Sequence, residues 1–170
     1  MRLAALLPAL LLTACSPKLP DYTDEPPLGN VPFSAVGWTE AAGFSDPGVT
    51  YNVAVTLIRV EEDPRAAAIR DHWTRSVLGG ITDVDGYVGH SVTTLDEDGS
   101  GYGDDDQWAW TYTVWRDEAA LDAFVESDLH TEGLSELGPV ITSFSSGRWT
   151  AEASVVPEPW ESFWERLEQR

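Results

Sequence analysis

From Val49 to Val60 the chain reads VTYNVAVTLIRV, β-branched and aromatic with both alternating faces largely apolar. That is the pattern of a central strand covered on each side. Asp63-Pro64 then supplies a helix cap followed by proline in the first turn. RAAAIRDHWTRSVLGG spaces Ile69, Trp73 and Val77 four apart before the Gly79-Gly80 stop, which predicts a helix. β character resumes from Tyr87 to Leu95. After an acidic loop, QWAWTYTVW alternates Trp108, Trp110, Tyr112 and Val114 on one face with Ala109, Thr111, Thr113 and Trp115 on the other. These two strands predict a hairpin. RDEAALDAFVESDLH carries Leu121, Phe124, Val125 and Leu129 at helical spacing, with a further turn or two through TEGLSELG, and SSGRWTAEASVV predicts a closing strand. The order β-α-β-β-α-β predicts an α+β fold: a ferredoxin-like split βαβ with an antiparallel sheet, spanning residues 49–155.

Both ends of the chain lie outside that pattern. MRLAALLPALLLTAC has one positive charge at Arg2, a leucine-rich stretch from Leu3 to Leu12 and small residues before the only cysteine, Cys15. This reads as a secretory signal over residues 1–14, too short and too interrupted by Pro8 to span a bilayer. Leu12-Thr13-Ala14-Cys15 resembles the bacterial lipobox, which implies cleavage before Cys15 and acylation of its thiol. More than one acyl chain would make attachment stable. With Cys15 consumed, neither disulfide nor cysteine metal ligand is left to the chain. Residues 15–48 contain SPKLPDYTDEPPLGNVP, five prolines in seventeen residues, and read as an extended tether, shortened if Phe33, Val36 and Trp38 dock on the core. Residues 156–170 set Trp160, Phe163, Trp164 and Leu167 at i, i+3, i+4 and i+7, a C-terminal amphipathic helix.

Composition narrows the partners. With 29 acidic against 10 basic residues and a net charge of −19, the surface repels nucleic acid and anionic lipid headgroups. The expected setting is a bacterial envelope with a lipid-anchored, otherwise soluble domain. Ser16 after the cysteine, in place of the aspartate associated with inner-membrane retention, tilts this toward the outer membrane.

The segments DGYVGHS and WTYTVWRDEAALDAFVESDLH resemble the antibiotic biosynthesis monooxygenase-like proteins of the dimeric α/β barrel superfamily, closest to the branch that includes spheroidene monooxygenase. The resemblance rests on Gly86-Tyr87-Val88-Gly89, on the junction from Thr113 to Leu121, on Ser127-Asp128-Leu129-His130 and on Pro159-Trp160, and covers residues 49–167. It implies a homodimer in which the sheet packs on its mate's sheet, and a small-molecule cavity between each sheet and its helices. Members include cofactor-independent oxygenases of phenols, haem-binding enzymes and proteins without known activity, and the fold does not choose among them.

Candidate chemistry follows. His130, on the Ser-x-x-His motif, offers a base, a haem ligand or a cap on helix-end carbonyls. His72 on the first helix is a second candidate base, and His90 lies on the second strand. Trp73, Trp108, Trp110 and Tyr112 offer an aromatic wall for a small aromatic ligand, or core and interface packing, the commoner use of such rows. The loop LDEDGSGYGDDDQW places Asp96, Asp98, Ser100, Tyr102 and Asp104 at calcium-loop positions, but Gln107 stands where a bidentate glutamate belongs and strands flank it where helices should. A solvated hairpin tip is the simpler account of those glycines and aspartates. Three readings stay open: an oxygenase of a small aromatic molecule, a non-catalytic binding module, and a haem protein.

Overall fold

The computed structural model describes residues 19–95, 108–159, 162, 163 and 166. Its core is a five-stranded antiparallel sheet. Strand β1 (Val31–Ala35) lies at one edge, followed in space by β5 (Tyr87–Leu95), β6 (Trp108–Trp115), β4 (Thr50–Val60) and β7 (Ile141–Glu152) at the other edge; β2 (Trp38–Thr39) and β3 (Gly43–Phe44) form a separate small hairpin. Helices α1 (Pro64–Ile81), α2 (Glu118–Val125) and α3 (Asp128–Leu137) cover one face. Without β1 to β3 this is the ferredoxin-like arrangement, with β4 and β6 central and β5 and β7 outside them.

Local chemistry sets the boundaries. Asp63 caps α1 by accepting from the Arg65 N–H at 2.8 Å, with Pro64 at the first helical position. Gly86, at φ +82°, turns the chain into β5 where a Cβ would lie 2.4 Å from that of Ala120, so only glycine fits. The second helical stretch, expected as one helix through His130, is two. Ser127 sits between them in extended conformation and accepts from the His130 N–H at 3.3 Å, starting α3 anew. The closing strand begins at Ile141, four residues earlier than expected, and pairs with β4 along nearly its whole length.

Alternation sorts the side chains between two faces. Val53, Val55 and Leu57 of β4 and Trp110, Tyr112 and Val114 of β6 share the face away from the helices, and all are buried. The resemblance assigns this face to a mate's sheet. Here the chain's own Phe33, Trp38, Phe44, Val156 and Phe163 cover it, and Phe163 stacks on Tyr112 with ring centroids 5.2 Å apart. Ser162, Phe163 and Arg166 are helical; Trp160, Trp164 and Leu167 lie outside the described residues.

The extent of the tether needs correction. Residues 19–30 run along α1 as a strap: the Arg65 Nε donates to the Pro20 carbonyl (3.1 Å), Arg75 donates to Glu25 (2.8 Å) and to the Pro26 carbonyl (2.7 Å), and the Leu28 N–H donates to Asp71 (2.9 Å). Asp71 is oriented by the fully buried Arg70, whose Nε and Nη2 both donate to its other oxygen. Asn30 accepts from the Thr93 hydroxyl and the Thr94 N–H, and β1 then joins the sheet. Prolines keep this segment from forming a helix, but its polar groups find partners on the folded domain, so it does not hang free.

Candidate functional site

Between the helices and the sheet lies a cavity of about 300 Å³. Its floor comes from the helix-facing residues of the central strands, Ala54, Thr56 and Ile58 of β4 with Thr111 and Thr113 of β6; Trp73, Val77 and His130 form part of its roof. The edge strand adds Phe144, Ser146 and Arg148. Within the helix layer α1 and α3 pack tightly at Gly133, where a Cβ would come within 2.9 Å of Val77.

His130 is the best-placed polar group. Its Nδ1 lies 3.1 Å from the carbonyl of Val125, the last residue of α2. A carbonyl only accepts, so Nδ1 carries the proton and Nε2 keeps its lone pair. Among the described residues Nε2 has no hydrogen-bond partner. Burial is the main cause holding the imidazole below the ordinary histidine value of 6.5, opposed by the Val125 carbonyl and reinforced by the charge of Arg148. The ring is therefore neutral at neutral pH, with its acceptor nitrogen available. Phe124 supports it edge-on, with centroids 4.9 Å apart.

Trp73 contributes an indole N–H that is buried and has no acceptor among the described residues. An unmet buried donor costs on the order of 1–3 kcal/mol. Arg148 stands where the lining is open to solvent, beside the half-exposed Phe144 (50%), and donates to Asp122 at 2.6 Å. Thr113 accepts from the buried Trp115 indole at 3.0 Å, so its hydroxyl also serves the wall.

The other candidates lie elsewhere. Trp110 and Tyr112 are fully buried on the opposite face, and Trp108 lies there too with the Arg59 guanidinium over its ring. They build the core and not the cavity wall, and burial pushes the Tyr112 hydroxyl upward. His72 stacks on Tyr22 (3.7 Å) and meets Glu25 (2.8 Å), so it fastens the strap and does not line the cavity. His90 meets the Tyr87 hydroxyl, and burial lowers its pKa as well. Asp96, Asp98, Ser100, Tyr102 and Asp104, the calcium candidates, fall outside the described residues. Among the described residues no three His, Cys, Asp or Glu side chains gather as a metal site. The threonine floor and Arg148 were missed: the aromatics of β6 drew attention to its other face, though Thr111 and Thr113 at alternate positions signal a wall that tolerates polar contact.

No family model matches the chain, and no curated protein sequence matches it. Solved structures do. The protein PA3566 from Pseudomonas aeruginosa is 13% identical with a TM-score of 0.50, covering 61% of this chain and 96% of its own. SnoaB, a cofactor-independent oxygenase from Streptomyces nogalater, is 20% identical with a TM-score of 0.49, over 65% of this chain and all (100%) of SnoaB. A candidate monooxygenase from Lactobacillus acidophilus is 13% identical with a TM-score of 0.47, and the match spans 65% of this chain but only 50% of that one. The fold shared with PA3566 is the antiparallel α+β ferredoxin-like one. Identities this low speak to fold alone.

Proposed function

We propose that this chain is a lipid-anchored envelope protein whose domain binds, and oxidises, a small aromatic molecule in the cavity between helices and sheet. The observation that carries the reading is His130: a cavity-lining imidazole with Nδ1 occupied by the Val125 carbonyl and Nε2 unpartnered among the described residues. A phenolic or enolic hydroxyl within reach of Nε2 would lose its proton there, leaving an anion with charge spread onto ring carbon. The carbanion would then react with dioxygen, one oxygen atom staying on that carbon as a carbonyl and the other leaving as water with the carbon's remaining hydrogen and the proton returned from His130 Nε2. The apolar walls, Val77, Leu78, Leu121 and Phe124 among them, would keep bulk water from the anion.

The volume favours a ligand of a few fused rings. At about 300 Å³ it stands at the small end of small-molecule sites, a better match to a few fused rings than to a haem macrocycle, although Nε2 is the atom that would ligate one. The test is oxygen uptake with a dihydroxynaphthalene or an anthrone. The wild-type chain should consume oxygen, and His130→Gln should do so about 10² to 10⁴ times more slowly. Equal rates in the two proteins would remove His130 from the chemistry.

A second reading is favoured by the same hydrogen bond. Because His130 already satisfies the carbonyl that ends α2, the imidazole has a structural role, and a non-catalytic binding module needs nothing more. Ligand-dependent quenching of tryptophan fluorescence without oxygen uptake identifies that case. The homodimer belongs to the proposal as well. With the second face of the sheet already covered by this chain, a dimer would meet through another surface, and sedimentation velocity on the domain measures it.

A further inference from the structure

The strap sets how far the domain can stand from a lipid attached at Cys15. Its first described residues are already fastened: Leu19 and Tyr22 pack against the cluster of Ile58, Val60, Ala66, Ile69, Leu137 and Val140, and Arg65 holds the Pro20 carbonyl. Only residues 16–18 separate Cys15 from Leu19. Consecutive Cα atoms are 3.8 Å apart, so Leu19 lies within about 15 Å of the acylated residue even at full extension. A tether reaching far from the membrane, as the proline-rich sequence suggests, is excluded for as long as the strap stays bound.

The same contacts decide which end of the domain faces the lipid. Leu19 packs where β4 ends at Val60 and β7 begins at Ile141. The other ends of these paired strands, Thr50 and Glu152, are matched across the register at the far side of the sheet. Ten residues of strand at roughly 3.3 Å each separate the two ends by about 33 Å. We infer that the Val60–Ile141 end of the domain is its membrane-docking surface, held against the headgroup layer of a bilayer by the short link to Cys15. Cavity-lining Ile58 and Leu137 belong to the same cluster, so this end of the cavity is the one nearest the lipid.

The inference rests on acylation at Cys15, and the experiment separates the two. The full lipidated chain is placed in phosphatidylcholine vesicles carrying a nitroxide on the headgroup. Cys15 is the only cysteine, so once it is acylated a single added cysteine takes a fluorophore specifically. The label on Glu62→Cys, beside the cap of α1, should be quenched several-fold more than the label on Glu152→Cys. Inserting a flexible glycine-serine segment of about twenty residues between Pro17 and Lys18 should bring both to the same low quenching. Equal quenching at the two positions without the insert, or stronger quenching at Glu152, would overturn the docking surface while leaving the anchor intact. A chain that fails to float with vesicles, or a Cys15→Ala variant that floats as well as the wild type, would overturn acylation and the docking inference with it.

Discussion

On one face of the sheet Val53, Val55, Trp110 and Tyr112 are wholly buried beneath Phe44 and Phe163; on the other, the same two strands present Ala54, Thr56, Thr111 and Thr113 to a cavity of about 300 Å³. Strand alternation puts adjacent residues of one sequence into these two environments. The covered face is filled by large rings in contact, Phe163 against Tyr112, Trp110 and Trp149. The cavity face combines small and hydroxylated floor residues with a roof that brings one histidine and one tryptophan. Aromatic packing fills the first face and the proposed site lies on the second, and substitutions should separate them.

The largest effect is expected on the covered face. Phe163→Ala removes a ring that is 1% exposed, and should cost about 3–5 kcal/mol by chemical denaturation. The variant that remains folded should still bind an aromatic ligand. On the cavity face, Ala54→Leu fills the space between the floor and the helices. Affinity for a dihydroxynaphthalene, read by tryptophan fluorescence, should fall at least about tenfold, while stability shifts by less than about 1.5 kcal/mol. A loss of stability comparable to that of Phe163→Ala would mean that the two faces are not distinct in the way described.

The smallest effect concerns pH. Burial holds His130 and His90 below the ordinary value of 6.5 in the folded chain. Above pH 6.5 both are neutral, folded or unfolded, and stability is unaffected. As pH falls below that value the unfolded chain takes up protons that the folded chain does not yet accept, so stability declines until the folded values are passed. The melting temperature should fall between pH 7.5 and 5.5, and less steeply in His130→Gln.

Much of this was legible in the chain. β4 and β6 declare themselves through β-branched and aromatic alternation, and Asp63-Pro64 announces α1, because these signals are local. The strap was not legible, since Tyr22 and His72, Glu25 and Arg75, and Asn30 and Thr93 are paired across tens of residues and proline-rich sequence carries no period. The break before α3 had a local sign, Ser127 in a capping position, masked by the apolar spacing that continues through Leu129. His130 and Trp73 were found because histidine and tryptophan are conspicuous. The threonines and Arg148 were passed over because their part in the cavity depends on which face of the sheet the helices cover.

The most direct test of the site is a crystal structure of the domain soaked with a hydroxylated naphthalene. The account predicts the ligand between the threonine floor and α3, with its hydroxyl within hydrogen-bond reach of His130 Nε2 and its rings beside Trp73. A ligand bound among Trp108, Trp110 and Tyr112 on the opposite face, or in the cavity with its oxygen turned away from His130, would contradict it.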